Sequence, residues 1–470
     1  MGYKTIGLFV NPKIVPPLDK KFIPAALWNR AFLKAAHFSG EEMSVIIGLE
    51  RNKNTYSVFK TSVLPLEHKM SSVNLFYIER LVKTLLWIWG GYKLSITAPD
   101  QIKDFIKNVY SSKGKRAFDA NFMSKIYEES FLVNTTVNTK NVPSKEESIA
   151  LGGNTNGCRI GFDLGASDRK VSAVIDGKVV FSEEVPWNPG EQINPDYHYQ
   201  EIRSMLQSAA AYLPRVDAIG GSAAGVYIHN RVMVASLFRN IPHNLFEKRV
   251  KNLFLEIQKE WKNVPLKVIN DGEVTALAGS MALKSNSVLG IAMGSSEAGG
   301  YVNQNGNITT QLNELAFVPI DFNQQSPIDL WSNDYGCGVQ YFSQEAVIRL
   351  AEKAGIILDK RQTAAERLKF VQELMSKGDE RAKKIFETIG VYLGYAIAHY
   401  ADFYDLEHVL ILGRVTSGEG GHIILQKANQ VLEEEFNRLF NKISIHLPDE
   451  SDRRVGQSIA AASLPVLKNE

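Results

Sequence analysis

Asp271 stands where an apolar strand ending Val268-Ile-Asn270 runs directly into a helix that begins Asp271-Gly-Glu-Val-Thr-Ala-Leu-Ala-Gly279. A carboxylate at such a junction can cap the free amides of the first turn or, facing a hydroxyl, accept its proton. Three further junctions end strands in small residues: Asp163-Leu-Gly165-Ala-Ser167, Gly294-Ser295-Ser296-Glu297-Ala-Gly299-Gly300, and Gly413-Arg-Val-Thr-Ser-Gly-Glu-Gly-Gly421. Glycine and serine let backbone N–H groups approach phosphate oxygens where a larger side chain would obstruct them. Any one of these junctions alone reads as a tight turn. Three of them in one chain, with a carboxylate at a fourth, point to a nucleotide cleft.

The elements that must hold these residues follow from periodicity. Residues 159–165 form an apolar run closed by glycine, and Lys170-Val-Ser-Ala-Val-Ile, Asp176-Gly177 and Lys178-Val-Val-Phe-Ser predict a hairpin with a two-residue turn. The pattern then recurs. Val288-Leu-Gly-Ile-Ala-Met-Gly294 is a second apolar strand ending in glycine, followed by a polar loop, the strand Tyr301-Val-Asn and the turn Asn305-Gly306. Laid over one another, Gly165 to Gly177 and Gly294 to Gly306 pair Ser167 with Ser296 and Asp168 with Glu297. A shared order of strand, loop, strand and turn argues for internal duplication. Helices are expected over 197–213, 344–355 and 379–403, and a buried strand over 408–413.

The first 150 residues are of another kind. Strands alternate over 44–49 and 56–63 around the connection Arg51-Asn-Lys-Asn-Thr, a helix is expected over 75–89 before Gly90-Gly91, and a short strand over 93–97. Helices over 100–110 and 118–130 flank the loop Ser111 to Arg116, longer than the 3–4 residues that usually join a DNA-reading pair. The polar stretch 134–157 reads as a linker or exposed connection. Residues 1–150 carry 21 Lys and Arg against 13 Asp and Glu, and the remainder 32 against 38, so the two parts have different surfaces. The basic charges are spread among acids, which favours a solvated surface over a nucleic-acid footprint. Only Cys158 and Cys337 are present, too few for a disulfide framework or a cysteine zinc site. With 44% hydrophobic and 22% charged residues and no run of about 18 apolar residues, a globular protein of the cytoplasm with no membrane partner is expected.

These motifs carry a resemblance. Asp163-Leu-Gly165-Ala-Ser167 resembles the first phosphate motif of the superfamily of acetate kinase, sugar kinases, heat-shock protein and actin. Gly294-Ser-Ser-Glu-Ala-Gly-Gly resembles its second, and Leu410-Ile-Leu-Gly413-Arg-Val its adenosine motif. Within it, Val268-Ile-Asn270-Asp271 with Thr275-Ala-Leu-Ala-Gly279 resembles the catalytic junction of the ROK family of sugar kinases and sugar-responsive repressors, and Glu314-Leu-Ala-Phe317 resembles that family's Glu-x-Gly-His segment. The likeness covers about residues 158–468.

The resemblance implies an α/β fold of duplicated actin-like ATPase (ribonuclease H-like) lobes around a central cleft, the first over 158–285 and the second over 286–470, with residues 1–150 as an extra α/β region. It implies ATP and Mg2+ as cofactors, with Asp163, Gly165, Ser167, Gly294, Ser295, Ser296, Gly299 and Gly413 at the nucleotide and Asp163 orienting the magnesium. Asp271 would be the general base for phosphoryl transfer to a sugar hydroxyl, with Asn240, Asn270 and Glu314 as sugar contacts. A small-molecule sugar and a homodimer are the expected partners, without nucleic acid. The alternative is a catalytically inactive, sugar-sensing regulator. The family's zinc-binding His falls on Phe317 and its Cys-rich segment is reduced to Gly336-Cys337-Gly338, so no zinc is expected. The stretch between Phe317 and Cys337 is longer than the family pattern, and within it an extra loop over 321–335 brings Asp329, Trp331 and Asp334 as further candidates near the substrate. Asp168 and Glu297, each one residue past a phosphate turn, would oppose a nucleotide unless they point elsewhere or hold a metal.

Overall fold

The computed structural model describes the chain except residues 1–2, 6–7, 54, 136–143, 449 and 468–470. The chain divides into two compact units. One comprises Met1–Glu147, Met293–Glu297 and Thr310–Leu447; the other comprises Ser148–Ala292, Ala298–Thr309 and Pro448–Glu470.

The second unit is built on a five-stranded sheet in the order Lys178–Pro186, Asp168–Ile175, Cys158–Leu164, Ala218–Ala223, Leu266–Asn270. The first three strands run antiparallel and the last two join in parallel. Asp176 and Gly177 both take positive φ, 47° and 80°, the backbone that a two-residue hairpin turn demands and that Asp-Gly supplies. Every residue of Cys158–Leu164 is buried, because helices cover both faces of the sheet's centre. Helix Glu450–Ala462 lies so close that a Cβ at Gly161 would fall 1.8 Å from the Ser458 carbonyl oxygen, and one at Gly220 would fall 1.7 Å from that of Ala461. On the core side Ile160, Phe162, Leu164, Ile202, Leu206, Phe254 and Val268 pack together. Helix Asp271–Leu283 starts where the fifth strand ends, and its Gly272 meets the backbone of Gly299 and Gly300 in the strand Glu297–Val302.

The first unit holds a four-stranded sheet in the order Thr55–Val63, Met43–Asn52, Lys93–Thr97, Leu132–Asn134. Helix Val73–Trp89, two residues longer at its start than its periodicity suggests, is buried on nearly all sides, including Glu79, Arg80 and Lys83. Helix Glu380–Tyr400 packs along Glu419–Glu435, with Gly390 and Gly394 one turn apart admitting Ile424, Ala428 and Val431 of the partner helix. The strand His408–Leu412 pairs in parallel with Ser444–His446.

Within the stretch 134–157, read as a linker or exposed connection, the described residues are mostly exposed and a few of them pair with strands. Residues 136–143 lie outside the described residues, but Lys145 bridges Tyr56, Glu146 pairs with Arg51, and Ser148–Ile149 pairs with Ile308–Thr309.

Candidate functional site

The strand Cys158–Leu164 delivers Asp163 near its carboxyl end, beside Ser222 on the parallel neighbour and opposite Lys170 on the antiparallel one. The Ser222 hydroxyl donates to Asp163 Oδ1 at 2.5 Å. Burial pushes the Asp163 carboxyl above its ordinary pKa, and the Ser222 bond and the Lys170 charge offset this only in part.

At the neighbouring junction the cap is Asn270. Its Oδ1 accepts from the Gly272 amide at 2.7 Å and its Nδ2 donates to the Gly225 carbonyl at 2.8 Å, so its side chain is fixed at both ends. Asp271 is the first helical residue, and its Oδ1 also accepts from the Gly272 amide, at 3.1 Å. Desolvation and then the charge of Asp163 push its pKa up to about 7. A carboxyl poised near neutrality is suited to exchanging a proton. Tyr227, whose hydroxyl donates to the Ala224 carbonyl at 3.1 Å, is raised by burial and by the charge of Asp271. Neither Ser222 nor Tyr227 was flagged by the sequence; the signal for both was Ser222-Ala-Ala-Gly225, another run of small residues ending a strand.

The first turn closes on itself: the Gly165 amide donates to the Asp168 carbonyl at 3.0 Å, and Trp187 Nε1 donates to the Gly165 carbonyl at 2.8 Å. Ala166 and Ser167 are left exposed at its tip. Asp168 accepts from the Ser167 hydroxyl and has Lys170 Nζ at 3.5 Å, so a cation offsets its charge.

In the other unit the second turn repeats the device. The Gly294 amide donates to the Ser296 carbonyl at 2.9 Å, the Gln344 amide donates to the Gly294 carbonyl at 2.9 Å, and Ser295 and Ser296 are exposed. Glu297 points inward, and among the described residues no cation pairs with it. Its carboxylate is buried, with Tyr400 Oη donating to Oε1 at 3.4 Å and Oε2 occupying the space a Cβ on Gly338 would need, 2.3 Å away. Burial drives its pKa to about 8. Gly413, at φ 105°, passes the backbone of Met293 so closely that a Cβ would lie 2.4 Å from that carbonyl oxygen, which sets the third junction beside the second turn. Glu314 is partly exposed, its amide donating to the Trp87 carbonyl at 3.0 Å, and Phe317 stacks on Trp87 at 4.1 Å.

The structure thus brings Asp163, Asn270 and Asp271 together in one unit, and Gly294, Ser295, Ser296 and Gly413 together in the other. Gly299 is buried against Gly272, a helix-packing position, and Asn240 stands exposed in a turn. Asp329 and Asp334, read from the sequence as near the substrate, are buried in hydrogen bonds and ion pairs within their own unit. Among the described residues no group of three or more His, Cys, Asp or Glu is arranged to hold a metal ion, and no helix is long and apolar enough to cross a membrane.

Comparison with known structures extends this geometry. A ROK family glucokinase from Streptomyces griseus, in complex with glucose and AMPPNP, matches 66% of this chain and 99% of its own at 19% identity and a TM-score of 0.50. A ROK family transcriptional regulator, a homologue of the E. coli MLC protein, matches 66% of this chain and 78% of its own at 18% identity and a TM-score of 0.53. No curated protein matches the sequence. The fold is α/β, that of ROK sugar kinases with their actin-like ATPase architecture. The ROK family model matches residues 159–455, well over half of the sequence, and the chain belongs to the ROK family.

Proposed function

We propose that this protein is an ATP- and magnesium-dependent carbohydrate kinase in which Asp271 takes the proton of the attacking sugar hydroxyl. The observation that carries this reading is the Asp163–Asp271 pair: two carboxyls at the ends of the strands that flank Ala218–Ala223, each raised by burial and Asp271 raised further by the charge of Asp163, to about 7. Such a pair is costly without a cation or a protonated ligand, and functional sites are where such cost is tolerated.

The residues present fit a magnesium nucleotide. Asp163 offers a buried carboxylate to orient the hydrated ion, and the exposed turn tips at Ala166–Ser167 and Ser295–Ser296 offer small residues to phosphate oxygens, with Gly413 beside the second. When bound, magnesium neutralises phosphate charge during transfer. Asn270, locked by the Gly225 carbonyl and the Gly272 amide, holds the helix start so that Asp271 keeps one orientation. Asn240, Asn270 and Glu314 are assigned to sugar hydroxyls, and Gly299 to the phosphate strand by motif. The lobes of the kinase are assigned to 158–285 and 286–470, residues 1–150 to an added α/β region, and the protein to the cytoplasm as a homodimer. The glucose and AMPPNP of the Streptomyces griseus enzyme make hexoses the first substrates to try.

A second reading is a sugar-sensing regulator without catalysis, favoured by the buried Glu297 one residue past the second turn and by the likeness to a ROK transcriptional regulator. Calorimetric titration with MgATP, with and without hexoses and amino sugars, separates the two. The kinase reading expects MgATP binding and sugar-dependent ADP release that Asp271→Ala abolishes. Sugar binding with no MgATP binding would establish the regulator instead.

A further inference from the structure

The segment from Asp321 to Tyr335 displays an aromatic side chain on a rigid mount. Asp329 Oδ2 accepts from the Ser332 amide at 2.7 Å and its hydroxyl at 2.6 Å; the Asp329 amide donates to the Asp334 carbonyl at 2.8 Å, and Ile328 bridges Tyr335. The closed loop is then bolted down. Asp334 lies 2.8 Å from Lys83 Nζ, 3.0 Å from Arg80 and 2.7 Å from Arg116, all buried, and the Arg80 guanidinium lies 4.7 Å over the Tyr335 ring. The tip is nonetheless apolar and open: Ile328, Leu330 and Trp331 are 59%, 86% and 47% exposed. An indole held in water by a loop that is hydrogen-bonded and ion-paired at its base is a preorganised contact.

What it is set against gives the ligand class. The Trp331 ring lies 6.4 Å from Phe317, and Phe317 closes the short helical turn that follows Glu314. Glu314 and Phe317 are both fixed on Trp87, the first by its amide and the second by stacking. One helix therefore supports Glu314, a partly exposed residue, and, through Phe317 and Asp334, the exposed Trp331. A pyranose has a complementary form, an apolar C–H face bordered by hydroxyls: the indole takes the face and the carboxylate the hydroxyls.

We infer that Trp331 is a sugar-binding and specificity-determining residue that stacks on the C–H face of a pyranose whose hydroxyls Glu314 engages. This rests on the reading that the protein binds a sugar.

The test titrates hexoses and amino sugars calorimetrically into the wild type and into Trp331→Ala, Trp331→Phe and Leu330→Ala, with melting temperatures recorded for each. Trp331→Ala is expected to weaken sugar binding about tenfold at an unchanged melting temperature, Trp331→Phe to stay within about threefold of the wild type, and Leu330→Ala to match it. Sugar should shift the tryptophan fluorescence of the wild type and leave that of Trp331→Phe unshifted. Sugar bound equally by wild type and Trp331→Ala would overturn the inference and leave the function standing. Equal weakening in Leu330→Ala, or a fall in melting temperature that accounts for the loss, would overturn it in favour of a scaffolding loop. No sugar bound by the wild type would overturn both.

Discussion

Asp334 and Asp271 are both carboxylates removed from most of the solvent, and their surroundings are opposite. Around Asp334, the acids Glu79 and Asp119 meet the cations Arg80, Lys83 and Arg116 in a buried network. Burial pushes the Asp334 carboxyl up, and Lys83 and Arg80 outweigh it and hold it below the ordinary range. Asp119, at the edge of the network with Lys83 at 3.7 Å, is one acid there that burial still raises. Around Asp271, burial and Asp163 push the same way and bring it to about 7. A matched network can be removed only as a whole without leaving a bare charge, which is the mark of scaffold. An unmatched carboxyl carries its cost until something binds or a proton moves, which is the mark of a site.

The largest effect expected from breaking this contrast is on turnover. Asp271→Asn keeps the shape and removes the base, so sugar phosphorylation should fall by about 10²–10⁴-fold in kcat, with sugar affinity little changed. Its stability at pH 8 should equal or exceed that of the wild type, since a raised carboxyl costs the folded state. A coupled ADP-release assay beside urea unfolding reads both. Turnover undiminished would remove Asp271 from the chemistry.

Asp334→Ala should do the reverse. It leaves Arg80, Lys83 and Arg116 with only Glu79 and Asp119 in a buried space, one cation in excess, and should cost about 3–5 kcal/mol in urea unfolding of its unit. Replacement of one partner alone is what exposes the network; a cost below about 1 kcal/mol would show that water reaches it.

Much of this arrangement was legible in the sequence, for physical reasons. The strands Cys158–Leu164 and Leu266–Asn270, the Asp176-Gly177 turn and the long helix Glu380–Tyr400 follow from apolar runs, turn chemistry and period, and local rules decide them. The junction at Asp163 was visible because small residues end its strand, and that at Asp271 because a strand runs directly into a helix. What stayed hidden depends on pairing over long sequence distance. Asp334 looked like a candidate for a substrate because nothing local shows that Lys83 and Arg116, far back in the chain, neutralise it. Helix Val73–Trp89 carries three charges, Glu79, Arg80 and Lys83, and all three are buried. Asp168 and Glu297 match by register yet diverge, one beside Lys170 and the other turned inward under Tyr400. Helix Ala25–Phe38, after a proline-rich start, was not anticipated.

A smaller effect tests how tightly Glu297 is held. Gly338→Ala places a methyl 2.3 Å from Glu297 Oε2 and 2.7 Å from the Leu315 carbonyl oxygen, one of which is backbone and cannot swing away. Overpacking of this kind should cost about 1–3 kcal/mol in thermal or urea unfolding.

A pH-dependent effect decides on which side of the contrast Glu297 falls. With a folded pKa of about 8 against an ordinary 4.5, it binds a proton more tightly in the folded state than in the unfolded one. Its contribution is therefore fully present below about pH 4.5 and is lost as pH rises to about 8, at up to about 1.4 kcal/mol per pH unit. Other raised carboxyls, Asp271 and Asp321 at about 7 and Asp402 at about 6, add slopes of the same sign, so only a difference between proteins isolates Glu297. Glu297→Gln keeps the contact with Tyr400 and cannot ionise. Urea unfolding at pH 5, 6, 7 and 8 should show the variant gaining on the wild type with each step upward. Parallel pH profiles would mean that Glu297 is already charged at pH 5, and that a cation partner holds it as Lys83 holds Asp334.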